Sequence, residues 1–393
     1  MKTSVVAVDF GTSKIVCLVA EINSRQRCDI VGAGIATYDG YMEGSWNNPN
    51  ALGDALDTAV SQAAEQARMV GRLREVFVGV PAAFSTVRTV EVSVDLRGTD
   101  PKVTPEDIER LLDKASEELG EHKGKVIHRA PAWFVVDDGK KTMEPAGIRG
   151  SELKALVSFI MADEFFLSDV TERFKAIGID VNGFFSSPAG QVSLYISGEE
   201  RDRKAVLVDM GYLNTEVMTV EGDAITTMST IPLGGGIIAA DLAYGLDINL
   251  ENAEKIKRVY TYGISAGQET FETTAPDGSV KTVNRSEVES VLEPRAEEIC
   301  EEIKKKIDES GVRLGSWSGV YLTGGGLAIN RGGREFLAAK LDRTVRELPR
   351  KTVKLSSPAY SSTLGLLDLV INTVTSDEGQ GGIGGFFRNL FGG

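Results

Sequence analysis

Residues 204–220 read KAVLVDMGYLNTEVMTV, and residues 4–22 read SVVAVDFGTSKIVCLVAEI. Each stretch is an apolar run, an Asp, one residue, a Gly, a short polar turn and a second apolar run. β-Branched runs around a polar turn predict paired strands. Asp9 and Gly11 in the earlier stretch match Asp209 and Gly211 in the later one. A supersecondary unit met twice in one chain predicts an internal duplication.

Working outward, residues 50–71 (NALGDALDTAVSQAAEQARMVG) place Leu52, Leu56, Ala59, Val60, Ala63 and Ala67 at helical spacing, with Gly71 as a natural stop. Residues 75–81 (EVFVGVP) read as a strand. From 85 to 163 the character changes to strand, helix and two further strands, with Thr104 as N-cap and Pro105 in the first turn of the helix. This predicts a small α+β insert. Strand–helix alternation resumes at 170–185, and 241–311 reads as mainly helical, broken by a hairpin turning at Asp277-Gly278. A third glycine turn, LTGGGLA, lies within 318–333, which reads as strand, turn and helix start. Residues 359–374 read as a last core helix.

The three turns suggest one chemistry. In DFGTSK, Gly11 permits close backbone approach, and amides near Thr12, Ser13 and Lys14 can face phosphate oxygens. Asp9 can hold Mg²⁺, through water since that ion keeps much of its hydration. Gly324, Gly325 and Gly326 let a flat ring lie on the backbone. A plain hairpin or strand-to-helix turn accounts for each motif alone. Together and in this order they predict a nucleotide cleft between two similar halves.

The totals exclude several classes. The chain has 393 residues, a formal net charge of −14, 42% hydrophobic and 25% charged residues, as in folded soluble proteins. The acidic balance argues against a nucleic-acid partner. Cys17, Cys28 and Cys300 form no CxxC and read as idle thiols of a reducing compartment. His122 and His128 are too few for a histidine metal site. MKTSVVAVDF meets Asp9 too soon for a signal peptide, and no run approaches the ~18 apolar residues of a spanning helix.

The order of motifs resembles the actin–hexokinase–chaperone superfamily. Within it the chain is similar to the FtsA family of bacterial cell-division proteins, nearly end to end. IRGSELKALVSFI, AEKIKRVYTYG, EPRAEEI and YSSTLGLLDL carry the likeness beside the turns, and the position of the insert discriminates most. The resemblance implies an α/β fold of two actin-like lobes, duplicated ribonuclease-H-like domains with a small α+β insert in the first. The expected boundaries are 1–84 and 164–195 for the first lobe core and 85–163 for the insert. The second lobe core takes 196–240 and 312–358, with a helical subdomain at 241–311. The final helix is expected at 359–374, a linker at 375–382 and a membrane-targeting helix at 383–393.

The family's cofactors would be ATP and Mg²⁺. By motif, Asp9, Gly11, Thr12, Ser13 and Lys14 would meet phosphate and metal, and Asp209, Gly211 and Asn214 would form the second phosphate wall. Asp209 would join Asp9 at the metal. Gly324, Gly325 and Gly326 would take the adenosine. Glu254 and Lys257, three apart on a helix, would contact ribose and adenine; an exposed ion-pair face explains them as well. The implied partners are further copies in a filament, the C-terminal tail of the tubulin-like FtsZ, an anionic membrane surface on the cytoplasmic face at the division site, and other division proteins through the insert. Arg295 is the candidate for the acidic FtsZ tail, a solvated surface helix being the plainer alternative.

Two departures matter. Where ATP-hydrolysing relatives carry Glu or Gln, this chain reads FFSSPAGQ, with Ser187 in place and Gln191 one turn on as weak candidates for positioning water. A hydroxyl is a poor base near neutral pH, so slow hydrolysis is expected. DMGYLN is also poorer in glycine than the family's second turn.

IGGFFRNLFGG (383–393) places Ile383, Phe386, Phe387, Leu390 and Phe391 at i, i+3, i+4, i+7 and i+8, with Arg388 beside the stripe. An interfacial amphipathic helix is expected. Burying five such side chains gives at most roughly 7–15 kcal/mol, against ~1–2 kcal/mol per ordered residue. One tail should bind reversibly; a filament of tails would hold firmly through effective concentration. The rivals are a cytoplasmic adaptor of pilus assembly, which needs no such tail, and a small-molecule kinase, which needs a catalytic carboxylate.

Overall fold

The computed structural model describes residues 3–22, 28–99, 101–263, 269–352 and 355–377. Strands β1 (Thr3–Phe10) and β2 (Lys14–Ile22) form the first hairpin, paired from Thr3↔Ile22 to Phe10↔Ile15. β3 (Cys28–Thr37) extends it; the short pair β4 (Tyr41–Met42) and β5 (Ser45–Trp46) leads to α1 (Pro49–Gln66). The apolar stripe expected on α1 is buried at Leu52, Leu56, Ala59, Val60 and Ala63. The helix ends before Gly71. Arg68 takes φ +55°, and the amides of Arg68 and Met69 close on Glu65 O and Ala64 O. This double closure satisfies the last carbonyls without glycine, at the cost of a left-handed residue. β6 (Glu75–Val80) then pairs parallel to β1.

The insert carries β7 (Ser85–Asp95), α2 (Pro105–Glu118), β8 (Lys125–Val136) and β9 (Glu152–Ala162), as an antiparallel sheet in the order β7-β9-β8. Thr104 and Asp107 form a reciprocal capping box at the start of α2. Leu111, Leu112, Leu153 and Phe159 give the insert a core of its own. It also reaches across the molecule. Ser158 donates to Ile225 O at 2.6 Å, and Asp223 N donates to Pro131 O at 3.1 Å. The chain returns through α3 (Glu164–Ala176) and β10 (Asp180–Ser186), closing a sheet of order β10-β6-β1-β2-β3.

Helices α4 (Ser187–Tyr195) and α5 (Gly198–Asp202) lead to the second lobe. There β11 (Ala205–Met210), β12 (Thr215–Glu221) and β13 (Ala224–Ile231) repeat the antiparallel trio. Helices α6 (Gly235–Gly245) and α7 (Leu250–Val259), hairpin β14 (Thr270–Thr274) and β15 (Val280–Asn284), and the long α8 (Arg285–Glu309) follow. β16 (Gly319–Thr323), α9 (Gly333–Leu341), β17 (Val345–Glu347) and α10 (Ser361–Asp377) complete the described chain. The glycine turn after β16 does not run straight into a helix, which starts only at Gly333. The second sheet has the order β13-β12-β11-β16-β17, with β16 parallel to β11 and β17 parallel to β16. This is the first sheet's plan again: an antiparallel trio, then two parallel strands.

The lobes are joined where α4 and α10 cross. A Cβ built on Gly190 would lie 2.5 Å from Gly365 O, and one on Gly365 would lie 2.4 Å from Gln191 N. Backbone meets backbone there, and only glycine fits.

Candidate functional site

The two hairpin turns close alike. Gly11 N donates to Lys14 O at 3.0 Å, and Gly211 N donates to Asn214 O at 2.9 Å. Each turn follows its Asp at the end of a strand, and the two face each other across a cavity of 110 Å³ lined by Asp9, Lys14, Asp209, Asn214, Glu216 and Arg258, among others. Gly324 and Gly325 line it too. Gly324 has φ +91°, and a Cβ there would sit 2.3 Å from Met210 O and 2.4 Å from Asp209 Oδ1. The third turn is therefore stacked on the end of β11. Gly326 closes it from behind, its amide donating to Met210 O at 2.7 Å. The turns also touch directly: Thr12 Oγ1 accepts from Tyr212 N at 3.0 Å and Leu213 N at 3.1 Å.

The helices that join the lobes hold the two aspartates. Asp9, 4% exposed, accepts from Ser187 Oγ at 2.7 Å, Thr363 Oγ1 at 2.9 Å and Ser362 Oγ at 3.3 Å. Burial raises its pKa, and the three hydroxyls oppose that rise. Asp209 accepts from Gln191 Nε2 at 2.7 Å. Burial, with help from Asp9, lifts Asp209 to about 6. Burial also lowers the Lys14 pKa, with Arg258 adding to the effect, and the ammonium sits 4.1 Å from the Tyr360 ring centre.

Glu216 escaped the sequence reading. It stands directly opposite Asp209 in the hairpin register, where the first hairpin has Val16 opposite Asp9. Burial, Asp209 and Asp9 push it up to about 8, against the Ala82 amide that donates to it. The sign follows. An acid whose folded pKa is raised supports the fold below about pH 4.5, its ordinary value, and that support is lost as pH rises through 8. Glu216→Gln should melt with the wild type at pH 5. By pH 8.5 it should be the more stable by about 1–3 kcal/mol, tempered because Glu216 is only half-buried. Melting curves that stay parallel across this range would contradict the assignment.

Other expected residues are placed differently. Ser187 lines the cavity and spends its proton on Asp9, while Gln191 is buried and spends its amide hydrogens on Asp209 and Ser361. Lys257 is 1% exposed, its Nζ 2.9 Å from Gly235 O and 2.7 Å from Glu254. The pair is not an exposed face; it is packed inward, and its neighbour Arg258 reaches the cavity instead. One helix carries both residues, and only its packing decides which faces in. Arg295 donates to Asp241 Oδ2 at 2.5 Å and also pairs with Glu298. Ser13 and Gly211 line the cavity as expected. Ile383, Phe386, Phe387, Arg388, Leu390 and Phe391 lie outside the described residues.

The family model of the cell division protein FtsA matches residues 206–365, and that of the SHS2 domain inserted in FtsA matches residues 85–161. Between them they take in well over half of the chain. The chain belongs to the FtsA family. It is 26% identical over 376 residues to the FtsA of Pseudomonas aeruginosa, covering 95% of this chain and 87% of that protein. With the FtsA of Bacillus subtilis it shares 25% over 367 residues, covering 92% and 82%. Among solved structures, the PilM–PilN type IV pilus biogenesis complex superposes with TM-score 0.60 at 17% identity, over 92% of this chain and 97% of that one. MreB5 of Spiroplasma citri bound to AMPPNP does so with TM-score 0.56 at 11% identity, over 95% and 98%. These likenesses show the actin-like fold, and the FtsA relatives make this an actin-like cell-division protein with the inserted domain of that family.

Proposed function

We propose that the interlobe cavity binds the phosphates of ATP with Mg²⁺, and that the chain polymerises on the cytoplasmic face of the membrane and tethers FtsZ filaments there. One observation carries the nucleotide reading. Asn214 is 2% exposed at the cavity wall, and among the described residues neither its Oδ1 nor its Nδ2 has a hydrogen-bond partner. A buried amide left unpaired costs free energy that a ligand oxygen recovers. The paired glycine turns and the mix of carboxylates with Lys14 and Arg258 suit a polyphosphate with its cation. MreB5, of the same fold, is described bound to AMPPNP and to ADP.

Asp9 and Asp209 would hold the metal, which would offset phosphate charge when bound. The glycine turn would take the adenosine, with Lys257 supporting it from below. The cavity has 110 Å³, room for phosphate and metal, against the ~300 Å³ or more of a site for a whole small ligand. Admission of the nucleotide therefore requires the lobes to part about the α4–α10 crossing, with Thr12 releasing the Tyr212 and Leu213 amides to the phosphates. With no glutamate at the place of Ser187, and with the hydrogens of Ser187 and Gln191 spent on the two aspartates, turnover is slow and the ligand is chiefly structural.

FtsZ docking falls on the face of α6 and α8. Arg295 pairs with Asp241 there, and Tyr244 on α6 is 92% exposed. An acidic, partly apolar tail would exchange carboxylates at Arg295 and cover Tyr244. Arg295→Glu should weaken FtsZ-tail binding about tenfold or more while Mg-ATP affinity holds, read by anisotropy of a labelled tail peptide. Unchanged tail affinity would remove Arg295 from the site. The insert is the surface offered to other division proteins.

No helix among the described residues is long and apolar enough to cross a membrane. Attachment is assigned to residues 383–393 on their apolar stripe. Flotation with anionic vesicles tests it: the full chain should float, more so with Mg-ATP, and a chain ending at Gly382 should not. Equal flotation of the two would turn the reading toward a cytoplasmic adaptor.

A further inference from the structure

A second, larger cavity of 380 Å³ lies behind the wall that begins α10, and Pro358 and Ser361 line both cavities. Its apolar lining comes from Leu322, Leu348, Leu355 and Leu364, with Tyr195 beside them. Arg331, Arg350 and Lys351 are exposed at its edge. Among the described residues none of the three forms an ion pair. Among the described residues of the lining the one acid is Glu347, which pairs with Arg334 at 3.7 Å. Lys351 feels the carboxylate of Asp368 beyond ion-pair distance, yet three cations gathered at one mouth are unexpected in a chain of formal charge −14. The lining also holds an unused acceptor. Asn330 is 6% exposed; its Nδ2 donates to Lys257 O at 2.7 Å and Tyr260 O at 2.9 Å, and its Oδ1 has no partner among the described residues.

We propose that this rear cavity docks an extended acidic peptide segment of a partner protein. An apolar side chain of the peptide lies on the leucines, its carboxylates meet Arg331, Arg350 and Lys351, and a peptide N–H reaches Asn330 Oδ1. Charge complementarity chooses the acidic partner. The lining chooses a peptide over a small phosphorylated compound. The cations stand at the exposed edge, and the lining mixes leucines with the hydroxyls of Thr323, Thr352, Ser356 and Ser357, a surface that suits the side chains and backbone of a peptide.

The shared wall gives the docking a consequence. Ser361 is hydrogen-bonded to Gln191, which holds Asp209, and the next two residues, Ser362 and Thr363, hold Asp9. A peptide seated against Ser361 and a ligand between the aspartates therefore alter each other's affinity by the same factor. This coupling rests on the nucleotide reading; the docking does not.

The test uses the full chain and a fluorescein-labelled peptide, Gly-Asp-Glu-Leu-Asp-Phe-Asp-Gly, followed by anisotropy without nucleotide. Saturable binding is expected, weakened about tenfold or more by the double change Arg350→Glu and Lys351→Glu at two exposed positions. Leu348→Asp should weaken it comparably, and melting curves check that both variants fold. A peptide with Lys at each acidic position should not bind. The docking is overturned if the wild type shows no saturable binding, or if the double variant binds as well as the wild type. It is also overturned if a peptide with Ser for Leu and Phe binds equally and inorganic pyrophosphate displaces it, which would mark a small-anion site. Peptide affinity unmoved by saturating Mg-ATP, in a chain shown to bind Mg-ATP, removes the coupling alone.

Discussion

Asp9→Asn should weaken Mg-ATP binding by about 100-fold or more while leaving the melting temperature unchanged or higher at pH 8. The two halves of this result have one cause. Asp9 is held at 4% exposure, with three hydroxyls aimed at it and no cation within ion-pair distance among the described residues. Its charge is therefore a burden on the fold, visible in the raised pKa. An asparagine of the same shape removes that burden, and its oxygen still accepts from Ser187. The charge is useful only when a cation sits across from it, and removing one partner of such a pair typically costs 2–5 kcal/mol of binding. Calorimetric titration and a melt on the same preparation read both halves. A variant that melts early yet binds Mg-ATP as the wild type does would make Asp9 structural.

Gly365→Ala should destabilise the protein by at least ~2 kcal/mol, against the ordinary preference of a helix. Alanine in place of a helical glycine normally gains ~1 kcal/mol. Here the added methyl would lie 2.4 Å from Gln191 N and 2.6 Å from Gly190 C, both backbone atoms that no rotamer change can move. Overpacking of this kind costs ~1–3 kcal/mol, occasionally more, so the clash outweighs the propensity. Gly53→Ala in α1 is the matched control. Its Cβ would meet nothing nearer than Arg173 Nη1 at 3.9 Å, and it should stabilise by up to ~1 kcal/mol. Denaturant melts of the two variants decide the matter. Equal shifts would mean that the crossing is not tight. Because α4 and α10 also carry the donors to Asp9 and Asp209, Gly365→Ala should lower Mg-ATP affinity as well, and Gly53→Ala should not.

These two sites differ in how far the sequence reveals them. The Asp-x-Gly repeat is local, so Asp9 and Asp209 were legible as paired strand ends, and the two sheets repeat one strand plan as a duplication requires. The three strands and helix of the insert were legible for the same reason, since each element is a run with its own period. What stayed hidden depends on partners distant in sequence. Thr12 reads as a turn residue, yet its Oγ1 accepts from Tyr212 N and Leu213 N on the other lobe. Glu216 reads as one more polar residue of a strand, and the hairpin register alone puts it beside Asp209. Lys257 and Arg258 are adjacent on α7, and the spacing that chose Lys257 could not say which neighbour faces the cavity. Arg295 reads as a free surface charge until α6 brings Asp241 to it.

The central claim is that two like hairpins form one nucleotide cleft. Its most direct test is calorimetric titration of the full chain with Mg-ATP at pH 7.5, beside the same titration of Asn214→Ala, which removes the unpartnered amide. A single site of micromolar affinity or tighter is expected (about −8 kcal/mol or below), weakened several-fold in the variant. No binding up to millimolar Mg-ATP, or equal affinity in the two chains, would contradict it.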